Sequence, residues 1–140
     1  MVARFNSRML PLFLLVLIAL AGCSETKKKG GALAPAKPVF DVTDVDLGTV
    51  YLSDSSKVIE YTVRNEGDKY FWIIDVVASC ECTKAEFDTH EVKDGEQTTI
   101  KLILNPSKLN SGPFERDANV YTNISKEPIT LYFHGVAKQK

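Results

Sequence analysis

The sequence predicts an all-β domain, an immunoglobulin-like sandwich of about seven strands, preceded by a signal peptide and a disordered tether. From residue 38 onward, apolar and polar residues alternate with a period of two, and turn residues recur at short intervals. The stretch 38–140 is long enough for one domain with a core and too short for two. About seven strands in this length is the immunoglobulin-like count, with an eight-stranded jelly roll as the alternative.

The N-terminal segment indicates export. Arg4 and Arg8 precede an apolar run from Met9 to Leu20 that ends in small residues. A positively charged start, a short apolar run and small residues after it are typical of a secretory signal peptide. The run is shorter than the roughly 20 apolar residues that a membrane-spanning helix needs. Residues 1–22 are therefore predicted to be a signal peptide that is removed.

The end of this signal, Leu20-Ala21-Gly22-Cys23, resembles a bacterial lipobox, in which cleavage precedes the cysteine and the cysteine is then acylated. We expect Cys23 to carry this lipid because the charged start, the apolar run and the four-residue box occur in the right order. Several acyl chains together would anchor the protein stably. The alternative is an ordinary secretory signal in which Cys23 has no special role. Ser24 replaces the aspartate that would favour inner-membrane retention. The expected location is therefore the outer membrane, facing the periplasm, with the cell surface as the alternative.

Residues 23–37 are predicted to be the tether, because they are polar, rich in Lys, Gly, Ala and Pro, and without hydrophobic periodicity. Removing Arg4 and Arg8 leaves 15 of the 17 basic residues against 18 acidic ones, so the formal net charge changes from −1 to −3. This balance does not favour nucleic acid as a partner. The expected contacts are the membrane, through the lipid on Cys23, and a protein of the cell envelope.

The strands follow from the alternation. "VFDVTDVDLGTV" (39–50) predicts an opening strand with a break near Gly48, and "KVIEYTVRN" (57–65) predicts a strand that stops at the turn "NEGD". The segment "EVKDGEQTTIKLILNP" (91–106) predicts a strand that ends before Pro106, because proline has no N–H to donate to a neighbouring strand. Two more lie in "LNSGPFERDANVYTN" (109–123) and "PITLYFHGVAK" (128–138). The residues expected to share inward faces are Ile59, Tyr61, Val63, Thr98, Ile100, Leu102, Leu104, Ala118, Val120, Ile129, Leu131 and Phe133.

The most apolar segment, "YFWIIDVVASCECT" (70–83), is the predicted central strand, with a cysteine pair at its end. In an extended strand Cys80 and Cys82 point to the same face with Cα atoms about 6.5–7 Å apart. That separation is at the far limit of disulfide geometry. In an exported protein, two exposed neighbouring thiols would not stay free, so burial or bridging must account for them.

Four interpretations of the cysteine pair stay open. Cys80 and Cys82 are small core residues, a permanent or switchable disulfide, or ligands of a soft metal such as Cu(I). In the metal interpretation Glu81, with His90 or His134, would assist. The fourth is a catalytic thiol whose pKa the nearby Lys84 lowers. Zinc is disfavoured because the chain shows no second cysteine pair.

Around "ASCECT" the chain resembles a bacterial family of immunoglobulin-like domains of unknown function, often found on lipoproteins, whose hallmark is Ser-Cys-Gly-Cys-Thr. The segments "VFDVTDVDLGTV", "YTVRNEGD", "SGPFERDANVYTN" and "PITLYFHGVA" resemble other family motifs in the same order. The family is similar to the major-sperm-protein and PapD-like sandwiches, which implies such a fold here and no established activity. Glu81 stands where the family usually has glycine, which raises the question of what backbone this position needs.

The remaining candidates do not form a catalytic or metal-binding set. His134 is expected on a sheet surface and His90 in a loop, without the partners of a catalytic triad. The spacing of Asp41, Asp44 and Asp46 lacks the glycine and terminal glutamate of a calcium loop, so these aspartates are expected to be solvated edge residues.

The sequence therefore predicts a non-enzymatic, lipid-anchored module without a cofactor, which binds protein or contributes to envelope architecture. The alternative is a thiol redox or copper-binding lipoprotein that acts through Cys80 and Cys82.

Overall fold

The computed structural model describes residues 32–140 of the chain, which contain eight β-strands arranged in two sheets. The strands are β1 (Pro38–Phe40), β2 (Asp44–Tyr51), β3 (Lys57–Asn65), β4 (Ile73–Ala78), β5 (Thr83–Glu86), β6 (Gln97–Leu104), β7 (Gly112–Thr122) and β8 (Ser125–Lys138). A 3-10 turn, Pro106–Lys108, follows β6. The predicted all-β sandwich is confirmed, with eight strands instead of about seven.

The strand order is β1-β3-β6-β5 in the first sheet and β2-β8-β7-β4 in the second. Neighbouring strands are antiparallel except β2 and β8, which run parallel. Within residues 32–140 no helix is long and apolar enough to cross a membrane.

The core lies between the two sheets and is built by the predicted alternation. On β3, Ile59, Tyr61 and Val63 are buried, while Glu60 and Arg64 are exposed. The inward faces of β6, β7 and β8 are buried in the same way, except that Ile129 is only partly buried. Each fully buried aliphatic side chain contributes about 1.5–3 kcal/mol, so these four strands supply most of the stabilisation.

The structure corrects the predicted central strand. Residues 70–83 divide into an isolated bridge between Phe71 and Val92, strand β4, and a turn that contains the cysteines. Strand β4 lies at the edge of the second sheet, not at its centre. The prediction failed because β4 is apolar on both faces, which is typical of buried strands. Here its outward residues Ile74 and Val77 are 56% and 48% exposed.

The break predicted at Gly48 is a bulge in β2. The register with β8 shifts between Asp46 and Thr49, and Gly48 has a φ of +62°, which glycine adopts readily. Its backbone N–H donates to the carboxylate of Asp46 at 2.8 Å. On β8, a Cβ at Gly135 would lie 2.7 Å from the carbonyl oxygen of Gly48. The close approach of β2 to β8 therefore requires glycine at residue 135.

The segment before β1 is held against the domain by Asn65, which is completely buried. The Asn65 side-chain oxygen accepts from the N–H groups of Lys37 and Gly67, each at 3.0 Å. Its nitrogen donates to the carbonyls of Lys69 and Val92 at 2.6 and 2.9 Å. Residues 34–37, which the sequence assigns to the tether, thus lie on the domain.

Candidate functional site

The cysteine pair lies in the turn that takes the chain from β4 in the second sheet to β5 in the first. Cys80 and Cys82 are joined by a disulfide, and their Cα atoms are 5.2 Å apart. The N–H of Thr83 donates to the carbonyl of Cys80 at 3.2 Å, which closes the turn. The expectation that the cysteines end an extended strand, about 6.5–7 Å apart, is therefore wrong. Of the four interpretations, the structure shows the disulfide.

Several contacts stabilise this corner. The Thr83 hydroxyl lies 3.4 Å from the sulfur of Cys80 and 3.6 Å from that of Cys82. From the segment that follows β6 of the first sheet, the N–H of Asn105 donates to the carbonyl of Cys82 at 2.8 Å, and Lys108 Nζ donates to the carbonyl of Glu81 at 3.3 Å. The disulfide is thus part of a junction between the two sheets.

The corner does not need glycine at position 81. No residue other than glycine has a positive φ in the stretch 32–140, so the backbone at Glu81 is ordinary, and its side chain is exposed. Cys82 is buried and Cys80 half-buried. A disulfide offers no thiolate to Cu(I), and the described residues contain no group of three or more histidine, cysteine or acidic side chains suited to a metal.

His134 lies on the outer face of β8, where it contacts two of the three aspartates that the sequence placed at an edge. Its Nδ1 atom is 3.1 Å from Asp44 and its Nε2 atom 3.8 Å from Asp46, both on β2. Asp41 instead pairs with Arg64 at 4.0 Å. All of these side chains are at least 40% exposed, and exposed ion pairs contribute little, typically about 0–1 kcal/mol. The arrangement is a surface contact between β8 and the edge strand β2.

The other predicted site residues are spread over the chain. His90 is in an exposed loop, with its Nδ1 atom 3.0 Å from Asp88, and hydrogen bonds from its side chain and backbone lower the pKa of the Asp88 carboxyl. Lys84 is exposed on β5. Cys23, the predicted lipid attachment point, lies outside the described residues.

Strand β4 differs from the other three edge strands. β1 is three residues long and begins with Pro38, β2 is bulged and carries Asp44 and Asp46, and β5 is four residues long. Short length, proline, bulges and charges all discourage pairing with another chain. β4 has six residues and also carries a bulge, between Ile73 and Asp75, and the exposed charge of Asp75. It differs from the other edges in that its exposed side chains Ile74 and Val77 are aliphatic. Among the edges of the described sandwich, β4 is therefore set apart by its exposed aliphatic surface.

The surface beside this edge is also apolar. Ile74 and Val77 line a shallow pocket together with Tyr121 of the neighbouring strand β7, and we call these three residues the β4 patch. One feature limits access to the edge, because the backbone N–H of Val76 donates to the carboxylate of Asp75 at 2.8 Å. The Asp75 carboxylate thus accepts from an N–H group of its own strand that an added strand would otherwise bind.

Residues 38–137 match the model of a family described as "Protein of unknown function (DUF1573)". The chain belongs to this family. The resemblance seen in the sequence motifs is thereby confirmed for nearly the whole domain. None of the curated proteins shows significant sequence similarity to the chain.

Solved structures confirm the fold of this DUF1573 domain. A protein of unknown function from Porphyromonas gingivalis W83 is 15% identical in sequence, with a TM-score of 0.64. The alignment covers 79% of this chain and 51% of the Porphyromonas chain. The ASH/PapD-like domain of human CEP192 is 9% identical, with a TM-score of 0.57. The alignment covers 74% of this chain and 87% of the CEP192 domain. The periplasmic chaperone SfaE is 10% identical, with a TM-score of 0.51. The alignment covers 74% of this chain and 58% of the SfaE chain. The chain thus spans about half of the Porphyromonas protein.

The structure gives a physical reason for several motifs of the DUF1573 domain. In "RNEGD", Asn65 forms the hydrogen-bonded junction, and Gly67 leaves room for the backbone of Pro35. In "LYFHG", Gly135 leaves room for the β2 bulge. These motif residues support the fold. The β4 patch and the Asp75 contact are the features that sequence reasoning missed. Their only sequence signal, an apolar run without alternation, equally indicates a buried strand.

Proposed function

We propose that this DUF1573 protein is a non-enzymatic, lipid-anchored module of the cell envelope that binds an extended segment of a partner protein along β4. The observation that carries the proposal is the combination of a six-residue edge strand and an exposed apolar patch on and beside it. An added strand would gain main-chain hydrogen bonds from the edge and side-chain contacts from the patch.

The chemistry of the partner segment follows from the β4 patch. Side chains of an added strand alternate between the two faces of the sheet, so every second residue would meet the outer face where Ile74 and Val77 lie. The expected partner is therefore an extended segment with apolar residues at alternate positions. It would also have to displace the Asp75 carboxylate from the N–H of Val76.

Site-specific photo-crosslinking in living cells tests this edge. A photoreactive amino acid at Val77 is expected to give an adduct with an envelope protein whose crosslinked peptide is extended and apolar at alternate positions. The same amino acid at Lys84, on the short charged edge β5, is the matched control. The proposal is wrong if position 77 gives no adduct, or if positions 77 and 84 capture the same proteins equally.

Asp75 provides a second, quantitative arm of that experiment. Asp75→Ala frees the N–H of Val76 and is expected to raise the adduct yield at position 77 several-fold. Asp75→Asn keeps a side-chain oxygen in place and is expected to change the yield less. Ile74→Lys, which places a charge in the β4 patch, is expected to abolish the adduct.

The lipid anchor is supported by the lipobox Leu20–Cys23 and the polar tether. Similarity in fold to a periplasmic chaperone agrees with an envelope location, and we place the protein at the outer membrane, facing the periplasm. Cys23→Ser is expected to abolish incorporation of labelled palmitate and release the protein from the membrane fraction. The double variant Cys80→Ala/Cys82→Ala is the matched control and should retain the label. Palmitate incorporation by Cys23→Ser would contradict the anchor.

Thiol exchange at the disulfide is a second candidate function, favoured by the partial exposure of Cys80 beside buried Cys82. A thiolate of a partner dithiol protein would attack the Cys80 sulfur and release Cys82 as the leaving thiolate. The second thiol of the partner would then release Cys80, completing a two-electron reduction of this protein and oxidation of the partner. In Cys82→Ser the single Cys80 thiolate would attack the disulfide of the oxidised partner, the reverse of the second step, and no Cys82 thiol remains to release the partner. A mixed disulfide on Cys80 is therefore expected. Absence of any such adduct would exclude this function.

A further inference from the structure

A second apolar surface lies at the end of the sandwich where the tether enters. Leu33, Tyr70, Trp72 and Ile124 line a groove of about 590 Å³, and we call these four residues the entry patch. Leu33, Tyr70 and Ile124 are 65%, 48% and 40% exposed. The rings of Tyr70 and Trp72 stack with centroids 6.1 Å apart. The patch therefore combines two aromatic rings with two aliphatic side chains.

The backbone beneath the entry patch is well fixed. The N–H of Trp72 donates to the side chain of Asn123 at 2.9 Å, and the N–H of Asn123 donates to the carbonyl of Trp72 at 3.3 Å. The N–H of Ala34 donates to Asp68 at 2.8 Å, and the N–H of Lys69 donates to the carbonyl of Ala34 at 3.2 Å. The β7–β8 turn, the segment before β4 and the entering chain are thus joined into one surface.

The position of the entry patch relates it to the lipid anchor. Leu33 is ten residues after Cys23. Ten residues span at most about 35 Å when fully extended, and about 17 Å on average as a flexible chain. Acyl chains on Cys23 would therefore keep the patch close to the bilayer surface. Strand β4 starts at this end of the domain, because Ile73 pairs with Thr122 beside the β7–β8 turn, and Ile74 of the β4 patch is two residues from Trp72.

We propose that the entry patch rests on the lipid bilayer at the level of the headgroups, and so sets the orientation of the sandwich on the membrane. Tryptophan and tyrosine favour this interface because their rings are apolar and their N–H and O–H groups reach water. The groove itself carries one acidic and one basic side chain, Asp68 and Lys69. The positive charge that complements anionic headgroups is that of Lys27, Lys28 and Lys29 in the tether sequence. This inference rests on lipidation of Cys23, which is part of the proposed function.

Trp72 is the only tryptophan in the chain, so its fluorescence reports on the entry patch alone. The test uses the mature, acylated protein reconstituted in vesicles of phosphatidylethanolamine and phosphatidylglycerol, with or without bromine on the acyl chains. Bromine quenches only nearby tryptophan. We expect at least twofold quenching when the bromine is near the headgroups, and weaker quenching when it is near the bilayer centre.

Two variants make the result specific to the patch. Tyr70→Ser/Ile124→Ser removes two of the four apolar side chains without changing Trp72, and is expected to reduce the quenching at least by half. Val58→Ser/Val136→Ser removes two exposed apolar side chains from the ends of β3 and β8 that lie away from the entry patch, and should leave the quenching unchanged. Equal quenching of both variants would overturn the proposal.

The outcomes separate this inference from the proposed function. Mass spectrometry and vesicle flotation first establish acylation and anchoring of the sample. An acylated, floating protein without quenching overturns the bilayer contact alone and leaves the anchor in place. A protein that carries no acyl group overturns both. A Trp72 emission that changes with protein concentration but not with bromine would assign the patch to a second copy of the chain, and would also overturn the bilayer contact.

Discussion

Asn65 is the residue on which the N-terminal end of the domain depends most. Its buried amide makes four hydrogen bonds, which join the entering segment, the turn after β3 and the loop before β6. We expect Asn65→Ala to lower the free energy of unfolding by about 2–4 kcal/mol, because buried backbone groups lose their partners. Urea unfolding at neutral pH measures this loss.

The matched control for this prediction is Asn110→Ala at an exposed position, which should change stability by less than about 0.5 kcal/mol. Asn65→Asp retains the acceptor but loses both N–H donors to Lys69 and Val92, so it should also be destabilised. A loss below about 1 kcal/mol for Asn65→Ala would contradict the central role of the amide.

Gly67 tests the same junction from the side of the backbone. A Cβ at this position would overlap the carbonyl oxygen of Pro35, whereas nothing lies within 4 Å of a Cβ at Gly95. Gly67→Ala should therefore displace residues 34–37 and speed hydrogen exchange of the Lys37 amide at least tenfold. Gly95→Ala strains a turn with a φ of +74° but should leave that amide protected. Equal exchange in the two variants would show that the entering segment is not held by close packing.

At the scale of elements, the corner between β4 and β5 combines a disulfide with five non-covalent contacts. The disulfide closes a loop of only three residues, so the chain-entropy model gives it about 1.6 kcal/mol. We expect Cys80→Ala/Cys82→Ala to lower the free energy of unfolding by about 1–3 kcal/mol and to leave the domain folded. Urea unfolding and circular dichroism, with and without reductant on the natural chain, measure both.

Reductant provides the internal control for that prediction. It should lower the stability of the natural chain and leave the double variant unchanged. Complete unfolding of the reduced protein would mean that the disulfide, not the packing around Asn105 and Lys108, holds the corner.

The elements also show how far sequence reasoning extends. β3, β6, β7 and β8 were predictable because each has one apolar and one polar face, and that alternation alone determines which side is buried. β4 was placed wrongly because a strand with two apolar faces gives no sign of whether a neighbour covers the outer one. The corner was missed because Cys80 and Cys82 approach through a turn that depends on partners distant in sequence, among them Asn105. The Asn65 junction depends equally on distant partners.

At the scale of the whole molecule, the two sheets are joined by a polar contact as well as by the apolar core. Tyr61 on β3 of the first sheet is completely buried, and its hydroxyl donates to the carbonyl of Tyr132 on β8 of the second sheet at 2.6 Å. Burial, and to a lesser degree the charge of Asp44, raises the pKa of Tyr61 to about 12. The neutral phenol is therefore the form that the folded sandwich requires.

This requirement predicts a loss of stability in alkali. In the unfolded chain Tyr61 ionises near its ordinary pKa of about 10, whereas the folded protein retains the proton up to about 12. Between these values the unfolded chain binds fewer protons, so the free energy of unfolding falls as pH rises. Tyr61→Phe should lose about 1–2 kcal/mol at neutral pH, because the Tyr132 carbonyl loses its donor, and should lack this part of the alkaline decline.

Urea unfolding of both proteins from pH 8 to 11.5 measures the effect as the difference between their free energies of unfolding, since the two proteins differ only at residue 61. The natural chain should be the more stable below pH 10, and its advantage should shrink steadily above pH 10. Tyr132→Phe, whose ring is 42% exposed, should follow the natural chain throughout. A difference in free energy of unfolding between the natural chain and Tyr61→Phe that stays constant with pH would mean that the proton on Tyr61 is not linked to folding. The contact between the sheets would then not depend on the neutral phenol.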